Sequence, residues 1–441
     1  MPAFVPLRSS WRWLVCGLLL LATMINYMDR LTLNLLAEHI SKELDLNNAQ
    51  YGTIEAGFAL AFAGGAIVFG FLVDRFNVFW VYPLAVLGWS LAGFCTGFAT
   101  DFTSLLFFRI LLGFAEAANW PCALKTTQHI LEPGERPMGN SILQSGAALG
   151  AVLIPLVMLV LFVESRPETW RTPFFVVGAA GALWVVLWWG LLRPTDLHVD
   201  HSHEAHPGQA PGSAPISGLV IRRFLALIVL VVTINMTWHF IRAWGPKFLQ
   251  SQHQFTQVQT NWFFTAYYII TDIGALSAGF VTLRLAQGGM PVHTSRVLVF
   301  FFCAALTLLL LIVPMQSNPM VLVALLLIVG FGALGVFPNY YSFSQDLTKR
   351  HQGKLTGVLS CLCWIAMAAW QQSIGWIVEG THSYTLAFLI SGLAPLIGLA
   401  ALLLLWGSTR EPVVHTADVE GDVDAARLSS TPAAKATEAT A

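Results

Sequence analysis

Charge is scarce in this 441-residue chain: Asp, Glu, Lys and Arg together make up 11% of it, against 56% hydrophobic residues. A soluble domain of that length would expose more charge, so water is excluded as the main solvent. The net charge is -1, and no basic block interleaves with aromatics, which excludes a nucleic-acid face and leaves nucleic acid out of the expected partners. Cysteine is sparse too. The six present (Cys16, Cys95, Cys122, Cys303, Cys361 and Cys363) all fall in apolar runs, where a thiol behaves as a small hydrophobe, so no disulfide framework is expected.

Enzyme signatures are also missing. No Gly-x-Ser-x-Gly elbow occurs, and His203-Glu204-Ala205-His206 lacks the spacing that places two zinc ligands on one helical face. The stretch from Gly330 to Gly335 fits the dinucleotide pattern GxGxxG, but it follows no strand and sits in an apolar run, so it reads as a close-packing stretch. No catalytic residue, metal site or cofactor is expected. Arg8 and Arg12 precede an apolar run as they do in a signal peptide, but no small-residue cleavage site comes before residues 26–30, so an uncleaved first span is expected.

What the chain has instead is apolar length. A helix crossing about 30 Å of hydrocarbon needs roughly 20 residues, and twelve runs of that kind lie near 13–37, 51–73, 79–99, 104–130, 138–163, 172–192, 223–250, 258–284, 293–314, 320–347, 353–378 and 384–406. They lack the period-2 alternation of barrel strands, so the expected fold class is an all-α membrane protein of twelve transmembrane helices in two six-helix, pseudo-symmetric halves. The halves are expected at 1–192 and 223–409, joined by a cytoplasmic linker at 193–222 and followed by a disordered tail at 410–441. His198, His201, His203 and His206 in the linker read as solvated rather than metal-binding. Lys and Arg fall fourteen to four on the side of the termini, in phase across all twelve runs, which places both termini in the cytoplasm by the positive-inside rule. Gly113-Phe114 precedes Pro121 by the same interval as Gly330-Phe331 precedes Pro338, in corresponding runs of the two halves, as an internal duplication predicts.

Ionisable residues at mid-bilayer cost roughly 2.5–3.5 kcal/mol each on insertion scales, so each asks for a role and a partner. Those present are Asp29 and Arg30 in the first run, Glu55 in the second, Arg109 and Glu116 in the fourth, His239 and Arg242 in the seventh, and Asp272 in the eighth. Glu116 follows Arg109 by two helical turns on one stripe, with Gly113 between them to admit another helix, and Arg30 is placed to meet that stripe. Protonating Glu116 would free the Arg30 guanidinium for another anion, the physical core of a proton-coupled anion carrier; the alternative is a permanent ion pair clamping two helices. His239 and Arg242 share a face that suits a substrate carboxylate, unless Arg242 snorkels to the interface. Asp272 continues a polar stripe with Tyr268 and Thr265. Gln144, Asn339, Tyr340, Gln371 and Gln372 offer hydrogen bonds either to sugar hydroxyls or between helices, and Trp364, with Trp238, Trp262 and Trp370, offers a ring to stack on a sugar or to pack.

Three motifs carry a family resemblance: NYMDR at residues 26–30, RILLGFAEAANWP at 109–121 and GFLVDR at 70–75. Over roughly residues 12–406 the chain resembles the major facilitator superfamily, and within it the anion:cation symporter family of sugar-acid and organic-anion carriers. The resemblance implies that Arg30 anchors a substrate carboxylate beside Tyr27, that Glu116 carries a proton with Asp29 as a second protonatable group, and that Asp74 and Arg75 make conformation-dependent cytoplasmic contacts. Phe79-Trp80 stand where basic residues usually follow that last motif, and Phe58 and Phe62 stand where sugar-acid members often carry tyrosine. Asp272-Ile273-Gly274 and residues 337–341 are most similar to the hexuronate branch. The expectation is a monomeric inner-membrane symporter, driven by the proton gradient, for an organic anion such as a hexuronate. A facilitator or exporter of another organic anion, or a nontransporting sensor, are the alternatives.

Overall fold

The computed structural model describes residues 9–131, 136–197, 218–347 and 352–406. The first half contains α1 (Ser9–Leu35), the short α2 (Ala37–Glu43), α3 (Asn48–Arg75), α4 (Val78–Thr96), α5 (Phe102–Glu116), α6 (Asn119–Ile130), α7 (Arg136–Leu161) and α8 (Arg171–Leu191). The second contains α9 (Gly218–His253), α10 (Gln257–Gln287), α11 (Val292–Leu306), α12 (Pro319–Gly335), α13 (Phe337–Leu347), α14 (Gln352–Thr381) and α15 (Thr385–Leu405). Among the described residues, twelve helical segments are long and apolar enough to cross a membrane, α5 with α6 and α12 with α13 each forming one of them. All coincide with the expected runs. Their ends shift by a few residues because caps, not apolarity, decide where a helix begins: Asn47 caps α3 with a reciprocal bond to Gln50, ahead of the apolar run at 51. Residues 218–222, expected in the linker, are helical in α9. The linker histidines and the tail at 410–441 lie outside the described residues.

The two broken spans share a cause. Pro121 and Pro338 have no N–H for the carbonyl four residues earlier, and the helices stop and restart at Glu116–Asn119 and Gly335–Phe337. Glycines set the closest helix contacts, and they do so twice over. A Cβ on Gly65 of α3 would lie 2.4 Å from the Phe114 carbonyl of α5, and one on Gly274 of α10 would lie 2.1 Å from the Phe331 carbonyl of α12. Gly113 of α5 likewise meets Phe58 of α3, and Gly330 of α12 meets Tyr267 of α10. The Gly-Phe repeat of the sequence is therefore a repeated packing joint, and Gly332 and Gly335 press on Cys303 of α11, as a close-packing stretch should.

Hydrogen bonds between the halves cluster at the end of the bundle away from the termini, here called the distal end. Asn48 donates through its backbone and side chain to Glu379 of α14 (2.9 and 3.2 Å), Lys247 of α9 donates to Ser41 (3.1 Å), and Gln257 of α10 donates to the Leu35 carbonyl (3.1 Å). Gly52 of α3 and Gly375 of α14 bring the two backbones together there, a Cβ on Gly52 falling 3.0 Å from the Gly375 Cα. The distal end is closed.

Candidate functional site

The site begins where α1 passes the broken end of α5. Arg30 is 6% exposed, and its Nε and Nη2 both donate to Glu116 Oε2, at 3.0 and 2.8 Å. Asn26, one turn earlier, accepts from Arg30 Nη2 at 3.3 Å and donates to the Glu116 carbonyl at 3.4 Å, so the helix break supplies a backbone acceptor that ties α1 to the carboxylate's own residue. Four rings surround the guanidinium: Tyr27, Phe58, Phe62 and Trp364 have centroids 5.0–5.5 Å from its carbon. Glu116 Oε1 meets no donor among the described residues. A buried pair like this is strongly destabilised by removing one partner, so Arg30 stays in place only while some anion faces it.

A second cluster lies one step toward the distal end. Glu55 Oε1 accepts from Arg109 Nη2 (3.0 Å) and Asn34 Nδ2 (2.9 Å), and its Oε2 lies 3.5 Å from Arg242 Nη2. Arg242 donates to Asn34 Oδ1 at 3.0 Å and to His239 Nδ1 at 3.1 Å. A guanidinium only donates, so His239 Nδ1 is the acceptor and the imidazole is neutral in this contact. Arg242 is buried, which removes the snorkelling alternative. Trp364 joins the clusters: its ring lies 5.1 Å from that of His239 and 4.4 Å from that of Phe62.

Of the residues singled out in the sequence, Tyr27, Arg30, Glu116, His239, Arg242 and Trp364 thus form one connected group. Arg109 shares a stripe with Glu116 but pairs with Glu55. Asp29 points elsewhere: it is buried against Gly93 of α4, where a Cβ would sit 2.7 Å from its Oδ1, and neither carboxylate oxygen meets a donor among the described residues. Asn339 is buried and accepts from Thr282 of α10 at 3.3 Å, Tyr340 packs beside Tyr341, and Gln144 is exposed on α7. Asp74 and Arg75 are exposed at the end of α3 on the termini side, with Asp74 3.4 Å from Lys125 of α6. Sequence reading passed over Glu55, Asn34 and Asn26 as partners. The signal for Glu55 is present, an acid in an apolar run whose only cation, Arg75, lies at the far end of the same helix, but nothing in the order of residues names partners on three other helices.

Residues 19–370 match the sequence profile of the Major Facilitator Superfamily. The chain belongs to that superfamily. It is a multi-pass membrane transporter, not an enzyme. The chain is 28% identical to the Escherichia coli (strain K12) protein named Probable L-galactonate transporter, over 90% of this chain and 89% of that one. It is 26% identical to a Cupriavidus necator protein named Probable sulfoacetate transporter SauU, over 90% and 94%. Among solved structures, a bacterial homologue of the human lysosomal transporter Spinster superposes with a TM-score of 0.74 at 17% identity, covering 90% of this chain and 97% of that one, which is a likeness of fold.

Proposed function

We propose that this transporter is a proton-coupled symporter that imports an organic anion of the sugar-acid class, a hexuronate among the candidates, across a cell inner membrane by alternating access. The observation that carries the reading is Arg30: a buried guanidinium inside a ring of aromatics, held by a single carboxylate oxygen of Glu116. Protonation of Glu116 removes the charge that holds Arg30, and an incoming carboxylate restores it, so proton and anion bind together. The rings give a sugar ring flat faces to stack on and keep water from the ion pair. Both halves of one chain contribute, Arg30 and Glu116 from the first and Trp364, His239 and Arg242 from the second, which supports a monomer as the working unit. The names of the relatives, one for a sugar acid and one for a sulfonated acid, support an organic acid as the cargo. The excess of Lys and Arg on the termini side supports cytoplasmic termini, which makes the distal end the outer one.

Uptake of radiolabelled D-glucuronate and L-galactonate into proteoliposomes with and without an imposed proton gradient tests this. Arg30→Ala is expected to abolish uptake, and Glu116→Gln to lose gradient-driven accumulation while keeping exchange. Accumulation by Arg30→Ala would refute the assignment, and uptake that only equilibrates and ignores the gradient would favour a facilitator.

A further inference from the structure

Glu55 is an intramembrane acid that the transport reading leaves unused, and it is the one that pairs with cations of both halves. It is 1% exposed, and its two oxygens divide between the halves: Oε1 serves Arg109 and Asn34 of the first, and Oε2 faces Arg242 of the second. In this distally closed state the Arg242 guanidinium is thus engaged by a protein carboxylate, a protein amide and the His239 imidazole. Trp364 links the two cations indirectly: its ring lies 5.5 Å from the Arg30 guanidinium carbon and 5.1 Å from the ring of His239, which accepts from Arg242. Glu55 and Asn34 belong to one half and Arg242 to the other, so opening the distal end separates them and leaves a buried cation in need of a new anion.

We propose that Glu55 is an internal competitor for the substrate's anionic group. With the distal end open, Arg242 is free and joins Arg30 in holding the organic acid. As that end closes, Glu55 and Asn34 recapture Arg242, the acid keeps only the Arg30 side of the site, and it leaves toward the termini. Glu55 itself remains with Arg109 throughout, so its charge is never stranded. The consequence is sided affinity, tight from the distal face and weak from the termini face, set by a carboxylate that never touches the substrate and acts as a positioning residue through Arg242. This rests on the reading of Arg30 and Arg242 as carboxylate anchors.

Two readouts on the full-length protein test it. Spin labels on Asp45→Cys and His382→Cys, which line one cavity of about 340 Å³ at the distal face from opposite halves, report distal closure without any substrate. Glu55→Gln is expected to raise the population of long distances, because a hydrogen bond to a charged partner is exchanged for a neutral one. Exchange of D-glucuronate measured from each face in right-side-out and inside-out vesicles gives a KM per face. Glu55→Gln is expected to lower the termini-face KM about tenfold and leave the distal-face KM near its wild-type value, as loss of a charged competitor implies. Glu55→Asp, which keeps the charge, is expected to restore most of the wild-type ratio, an outcome that a packing role does not predict. Because Glu55→Gln also weakens the partner of Arg109, Asn34→Ala is measured in parallel: it removes one bond to Arg242, leaves the Glu55–Arg109 pair and is expected to shift both readouts the same way by less. Wild-type distance distributions and KM ratios in both variants would overturn the proposal. If the unaltered protein carries no D-glucuronate, the choice of cargo fails and the distance distributions alone decide on Glu55: a raised long-distance population supports it and an unchanged one overturns it.

Discussion

Asp29 and Arg30 are neighbours in the chain and strangers in space. Successive residues on a helix point about 100° apart, so Arg30 meets Glu116 of α5 while Asp29 turns to Gly93 of α4. Asp29 therefore has no contact through which to hold Arg30. Its oxygens meet no donor among the described residues, so Asp29→Asn removes no hydrogen bond, and the amide fills the same space. Asp29 is proposed as a second proton carrier beside Glu116, and the variant cannot titrate there. The variant is therefore expected to melt at or above the wild-type temperature while losing gradient-driven accumulation, read by thermal shift and proteoliposome uptake; retained accumulation would leave coupling to Glu116 alone. The pairing of Arg30 with Glu116 was legible in the sequence because both were expensive charges with few opposites available. The role of Glu55 was not, since its three partners come from α1, α5 and α9.

At the scale of the elements, the glycine joints decide how closely helices approach. Gly274→Val would force a side chain into the Phe331 carbonyl, which a Cβ alone would approach to 2.1 Å. Overpacking of that kind costs about 1–3 kcal/mol or more, and a clear fall in melting temperature is expected by fluorescence-detected size exclusion. Gly279→Val lies on the same helix with nothing within 4 Å of its Cβ and serves as the neutral control. The prolines are only partly legible at this scale: Pro121 and Pro338 follow a break, whereas Pro83, Pro155, Pro246 and Pro395 lie inside unbroken helices. That the Glu116 carbonyl beside the first break meets Asn26 of α1 is visible only once the helices are assembled.

For the molecule as a whole, the closed distal end depends on two backbones meeting without side chains. Gly52→Val would place atoms against the Gln371 carbonyl, 2.8 Å from its Cβ, and against Gly375. That change is expected to hold α3 and α14 apart, to shift the spin-label pair at positions 45 and 382 toward long distances, and to slow uptake with little change in folded yield; an unchanged distance distribution would show that the joint does not govern closure. The prediction differs from that for Glu55→Gln, because a steric block slows turnover from both faces, whereas loss of a competing charge changes the ratio of affinities.

The amino-acid order by itself determined the solvent, the number of spans, the division into halves and most of the buried charges (Glu38, Arg223 and Lys247 excepted), because these follow from apolar length, from the cost of charge in hydrocarbon and from the helix period. The tertiary structure decided which charge answers which. Arg109 and Glu116 share a stripe yet serve different partners, Asp29 faces a glycine rather than its neighbour's site, and Glu55 stands between halves. Such pairings depend on the angle and depth at which helices far apart in sequence cross, and local periodicity contains no information about that.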